Sequence, residues 1–166
     1  IAAGAAKNPN YGAKNATAQY QFEMTVRQGL EDRPVSYPLT RSMCSPRGDG
    51  AAAAIVVSED YYKGLPQAVK DRAIRIRASS LSGGKYKRLD EPSLSMTAAR
   101  KAYAHSGLKP EDIQVAEVHD ATSFCEVLQA EMLGLCDIGE GGRFIEAGGT
   151  GTGGKAPGDP RRGRGA

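Results

Sequence analysis

Long hydrophobic runs are missing from this sequence. The longest, "AAAAIVV" at 51–57, is too short to span a bilayer and suits a buried strand instead. No signal peptide is visible, so membrane association is not expected and the cytoplasm is the expected location. Cysteine is scarce: Cys44, Cys125 and Cys136 are an odd number without zinc-ligand spacing, which favours a reducing compartment and no metal site. Net charge is also small. The formal +3 resides in the tail 155–166, where Lys155, Arg161, Arg162 and Arg164 stand against Asp159. The remainder is neutral, so a nucleic-acid surface on the folded part is not supported. No internal repeat is present.

What is there suits one ordinary domain. The 166 residues are 40% hydrophobic and 25% charged, the composition of a globular protein with a real core. The sequence begins at Ile1 rather than Met, so the natural N-terminus is expected to lie outside it.

One stretch imitates a phosphate loop. Residues 149–155, "GTGTGGK", fit G-x-x-x-x-G-K, and "RFIEA" before them has the look of a short strand. The chemistry then fails. Ala156 stands where a Ser or Thr hydroxyl should bind magnesium, and Pro157, Gly158 and Pro160 rule out the helix whose N-terminus should face the phosphates. An irregular glycine-rich loop is the better reading, and "APGDPRRGRGA" reads as a disordered basic tail.

Upstream, the residues predict alternating strands and helices. "KNPNYGAKNATAQYQ" reads as loop, followed by a short helix over Gln21–Leu30 and an extended passage enforced by Pro34 and Pro38. "AAAAIVV" reads as a buried strand, with a helical start in the alanines as the alternative. Ile74, Ile76 and Ala78 alternate with Arg75 and Arg77, the period of a strand with one wet face. Asp90, Glu91 and Pro92 open a helix that ends at Gly107. "QVAEVHD" is the next strand. Ser123 and Glu126 form a capping box for a helix whose apolar face is Phe124, Val127, Leu128, Met132 and Leu135. That order argues for an α/β layered fold.

Chemistry concentrates in "VAEVHDATSFCEV". His119 and Asp120 fall where a strand gives way to a helix, the end of an α/β sheet at which ligands bind. A histidine there can donate to an oxyanion, position a water or move a proton. A ring bonded to local backbone fits equally well. Cys125 lies three residues into the helix, where its thiol could be activated, but burial beside Phe124 is the stronger reading. Cys44 and Cys136 read as packing or loop residues, and His105 as a favourable contact with a helix C-terminus. "MCSPRGDGAAAA" places Ser45 in a tight loop that either approaches a ligand closely or is a rigid turn with Asp49 as a cap.

Together these two stretches resemble the thiolase superfamily, and among its members the sterol-carrier-protein-type thiolases. "PLTRSMCSPRGDGAAAAIVVSE" is similar to that family's loop and strand ending in D-G-A-A-A. "VAEVHDATSFCEVLQAEMLGLCDIGEGGRFIEAGGTGTGGK" is similar to its H-D-A/C motif, the helix after it and the glycine-rich approach to the next motif. The resemblance covers about residues 5–155. It implies a thiolase-like layered fold, with 1–65 the end of the N-terminal half carrying the coenzyme A loop. Residues 66–155 would start the C-terminal half, and 156–166 form the tail, which reads as an out-of-frame stretch.

The resemblance further implies that His119 helps form the oxyanion hole for a CoA-thioester carbonyl. Ser45 would contact the pantetheine arm, while Asp49 and Gly50 hold the loop's shape. The implied reaction is Claisen-type acyl transfer on a 3-oxoacyl-CoA through a cysteine acyl-enzyme, with coenzyme A as substrate and no covalently bound cofactor. The family's acylated cysteine would lie upstream of Ile1 and its G-H-P histidine beyond "GGK". The chain is therefore expected to be an internal fragment without turnover of its own. The whole protein is expected to be a homodimer, in some relatives with a small zinc-ribbon/OB-fold subunit. Two other activities fit the same residues: retro-aldol cleavage of side-chain CoA thioesters, and a non-catalytic CoA-binding subunit.

Overall fold

The computed structural model describes residues 1–84, 86, 88 and 91–151. The expectations placed on Asp90, on Lys155 and on the tail 156–166 lie outside the described residues.

The N-terminus is a helix, α1 (Ala2–Gly12), where a loop is expected from residue 7 onward. The alanines before Lys7 explain it, since alanine is the strongest helix former and nucleates the turns that "KNPN" then continues. Pro9 sits inside this helix. Ala2, Ala5 and Ala6 are buried and form a core with Met24, Met43 and the partly buried Leu39. Asn10 fixes Met24 to this helix, its side chain accepting from the Met24 N–H at 2.7 Å and donating to the Met24 carbonyl at 3.0 Å.

The next helix, α2 (Val26–Glu31), is shorter than expected because Thr25 caps it. The Gln28 N–H donates to Thr25 Oγ1 at 3.2 Å and the Thr25 N–H to Gln28 Oε1 at 2.8 Å, a closed capping box. The proline-bounded passage is a small antiparallel hairpin of β1 (Pro34–Ser36) and β2 (Leu39–Thr40). Buried Thr40 ties it to α2, donating from Oγ1 to the Gly29 carbonyl at 2.6 Å. A 3-10 turn, Arg41–Met43, then leads into the Ser45 loop.

Residues 51–57, 74–78 and 114–120 are not paired into strands. Ile55 is 93% exposed, Ile74 90% and Val115 82%. Apolar alternation marks side chains suited to a pleated, half-buried surface, but a strand also needs a neighbour for its backbone groups. No other described segment supplies one. Two short helices, α3 (Glu59–Lys63) and α4 (Gln67–Lys70), lie between the first two of these segments, α3 being capped by Ser58.

The longest helix, α5 (Leu94–Ser106), ends as expected at Gly107, whose φ of 71° is the left-handed cap that glycine favours. Its start differs: Ser93 caps it, so Pro92 precedes the helix rather than occupying its first turn. Tyr103 and Gln129 join α5 to α6 (Ser123–Met132) through the Leu133 carbonyl at 2.8 Å and Ser95 Oγ at 3.2 Å. On α6 the expected capping box is not formed. Glu126 turns instead to Lys7 on α1, and Ser123 Oγ is buried with no partner among the described residues. The buried face is correspondingly Ser123, Glu126, Ala130 and Met132, while Phe124 is half exposed.

The last helix, α7 (Gly141–Glu146), occupies the "RFIEA" stretch that reads as a strand. It packs on α6 so closely that a Cβ at Gly141 would lie 2.5 Å from the Val127 carbonyl oxygen. The glycine-rich segment thus follows a helix, which removes the strand that a phosphate loop needs before it.

Candidate functional site

The Ser45 loop is held in place from three sides. Behind it, Asp32 gathers the hairpin entry and the 3-10 turn. It accepts from Arg33 N–H at 2.8 Å, from Arg41 Nη2 at 3.0 Å and from the Ser42 hydroxyl. These donors, the Ser42 hydroxyl foremost, lower the Asp32 pKa to about 2. Beneath the loop, Met43 is buried in the α1 core. In front of it, Cys44 bridges Thr122 in antiparallel fashion and the Ser45 N–H donates to the Ala121 carbonyl at 3.0 Å. The two stretches singled out in the sequence therefore meet through their backbones.

Helix α1 closes the other side. Asn8 Nδ2 donates to Asp120 Oδ2 at 3.2 Å, while Lys7 donates to the Glu126 carboxylate and, at 2.8 Å, to Thr150 Oγ1. Glu126 is buried and its second carboxylate oxygen has no partner among the described residues.

Between α1, the 18–24 passage, β1 and the Ser45 loop lies a cavity of about 810 Å³. Tyr20, Phe22, Met24 and Val35 give it an apolar wall, and Arg41, Ser42, Cys44, Ser45 and Asp120 supply polar groups. Tyr20 and Phe22 meet edge to face with centroids 6.2 Å apart. A volume of this size with mostly apolar lining and a few polar groups is that of a small-molecule site.

The candidate residues divide accordingly. Ser45 is exposed and lines the cavity. His119 is exposed one residue before cavity-lining Asp120, and its ring has no hydrogen-bond partner among the described residues, so the backbone-bonded alternative is not realised. Asp49 caps no helix, since 45–57 has no helix, and Gly50 has open space around it. Cys125 is partly buried with its Sγ 3.4 Å from Thr122 Oγ1. Cys136 is buried, and burial, with Glu131 and neighbouring carboxylates, raises its thiol pKa to about 11, so it is protonated at neutral pH. Among the described residues no three His, Cys, Asp or Glu side chains gather where they could hold a metal ion. No helix among them is long and apolar enough to cross a membrane. Sequence reasoning missed Lys7, Asn8 and Asp32, because each acts through partners that the local pattern does not reveal.

Residues 88–163 match the family model for the thiolase C-terminal domain-like family. Rat (Rattus norvegicus) sterol carrier protein 2 is 37% identical over 157 residues, covering 90% of this chain and 28% of that protein. The chain belongs to the thiolase superfamily. Benzoylsuccinyl-CoA thiolase subunit BbsB of Thauera aromatica is 34% identical over 161 residues, 95% of this chain and 41% of that one. An acetyl-CoA acetyltransferase of Methanocaldococcus jannaschii is 36% identical over 138 residues, covering 80% and 35% respectively. This chain thus spans well under half the length of these relatives. Its fold is thiolase-like: a solved chain titled Ltp2-ChsH2(DUF35) aldolase superposes with a TM-score of 0.75 at 24% identity, over 93% of this chain and 42% of that one.

Proposed function

We propose that this chain contributes the CoA-thioester side of a thiolase active site, with Ser45 holding the pantetheine arm of coenzyme A and His119 donating to the thioester oxyanion. The observation that carries this reading is the Ser45–Ala121 hydrogen bond, which ties the Ser45 loop to the turn after His119. The cavity beside Ser45 has the size and mixed lining an acyl-thioester needs. Preorganised donors of this kind stabilise the negative charge that develops on a thioester carbonyl. The parent reaction is acyl transfer with Claisen-type cleavage or formation of a 3-oxoacyl-CoA, with coenzyme A as substrate and no covalently bound cofactor.

The relatives named as a thiolase subunit and as an acetyl-CoA acetyltransferase support the acyl-transfer reading. The fold neighbour titled an aldolase favours a second one, retro-aldol C–C cleavage on a CoA thioester with a partner subunit. In either case residues 1–65 belong to the N-terminal half and 66–155 to the C-terminal half of a homodimeric, cytoplasmic protein.

Calorimetry with acetoacetyl-CoA tests the site directly. The chain is expected to bind the thioester and to lose most of that affinity as Ser45→Trp. Equal affinity in both would defeat the assignment of Ser45. Acyl transfer is expected to be absent from the 166-residue chain, and a covalent acetyl adduct on Cys44 found by mass spectrometry would place the nucleophile within it.

A further inference from the structure

Two consecutive side chains of α1 hold the segment after His119, and no feature of the local sequence assigns them a role. Asn8 donates to Asp120 at 3.2 Å, and Lys7 donates to the Glu126 carboxylate and to Thr150 Oγ1. Successive residues on a helix point about 100° apart. Lys7 and Asn8 therefore spread across α1 and grip the chain at two places, before the first turn of α6 and within it. The third grip comes from the opposite side, where the Ser45 N–H donates to Ala121.

We infer that Lys7 and Asn8 are positioning residues, fixing the His119–Ser123 turn against the Ser45 loop and drawing Thr150 to the same point. The inference rests on the reading of His119 and Ser45 as the CoA-thioester site only for its functional consequence. Its geometry stands on the contacts themselves. Asp120 is the residue between His119 and Ala121, so a donor on Asp120 and a donor on the Ala121 carbonyl leave the His119 backbone little freedom. Glu126 is nine-tenths buried, and Lys7 is the cation paired with it. That pairing anchors the first turn of α6 and leaves Asn8 to set the turn before it. Asn8 also lines the cavity beside Ser45, and a site held in productive geometry by supporting contacts loses affinity when they loosen.

The test uses the 166-residue chain with Asn8→Ala and Asn8→Gln, the second retaining an amide donor. Amide exchange at Ser45, the line width of the His119 ring resonances, and acetoacetyl-CoA affinity are measured for each. Asn8→Ala is expected to speed Ser45 exchange about tenfold and to broaden the His119 signals, while amides of α5 exchange as before. Asn8→Gln is expected to restore much of both. Affinity for acetoacetyl-CoA is expected to fall several-fold in Asn8→Ala and to recover in parallel. Unchanged Ser45 exchange and unchanged His119 signals in Asn8→Ala would overturn the inference, and so would uniform acceleration of exchange across α5. Altered exchange in a chain whose parent form binds no acetoacetyl-CoA would uphold the positioning role and remove the functional reading instead.

Discussion

The backbone N–H of Ser45 lies 3.0 Å from the carbonyl oxygen of Ala121, and with the adjacent Cys44–Thr122 bridge it joins the two most informative stretches of the sequence. Ser45→Pro removes the donor and leaves Cys44 in the extended conformation that a residue before proline prefers. The expected cost is about 1 kcal/mol, the net worth of one hydrogen bond. Ser45→Ala keeps the N–H and should be nearly neutral by urea denaturation. Equal loss in both variants would assign the stability to the side chain instead.

The Lys7–Glu126 pair predicts strong non-additivity. Lys7→Met leaves a buried carboxylate without its cation and is expected to cost about 3 kcal/mol or more. Glu126→Leu in the same background removes the stranded charge and should recover much of that loss. Urea denaturation of the two single variants and the double variant completes the cycle. Costs that simply add would show that the two side chains do not act as a pair.

Asp32 predicts a specific acid sensitivity. Its folded-state pKa, about 2, lies below the ordinary 3.8. The charged form is therefore favoured by folding, and the stability it contributes is present above pH 3.8 and lost as pH falls through 2. Thermal melts between pH 4 and 2 should show a component that Asp32→Asn abolishes. An NMR titration of the Asp32 carboxyl with a midpoint near 3.8 would contradict the donor arrangement around it.

The α6–α7 contact depends on a missing side chain. Gly141→Ala would bring a Cβ to 2.5 Å from the Val127 carbonyl oxygen, a rigid backbone atom. The expected cost is about 1–3 kcal/mol, as for other overpacked sites. A melting temperature equal to that of the parent chain would mean that α7 can shift freely.

Legibility in the sequence followed the range of the interaction. Helix α5 was readable because its stop at Gly107 is local chemistry. Helix α6 was readable in place and in part of its face, since Met132 and Leu135 are buried as expected while Phe124 is exposed. Its capping was not, because Glu126, three residues after Ser123, looks like a capping partner until Lys7 claims it. Helix α1 was missed from Lys7 onward because "NPN" reads as punctuation, whereas the preceding alanines carry the helix through it. The alternation around Ile74 and Ile76 identified side chains fit for a sheet, but period two contains no information about which strand pairs with it. Of the candidate site, Ser45 and His119 were visible as residue types at a loop and at a helix entry. Lys7, Asn8 and Asp32 were not, since their partners lie far away in sequence or belong to a turn that only the fold creates.

The central claim, that the Ser45 loop and the His119 turn form one CoA-thioester site, is tested most directly by titrating the isotope-labelled chain with acetoacetyl-CoA and following amide and histidine-ring resonances. The account predicts that Ser45, Asp120, Ala121 and the His119 ring shift together with one saturable dissociation constant, while α5 resonances stay in place. Binding that shifts residues elsewhere and leaves Ser45 and His119 unmoved would contradict it.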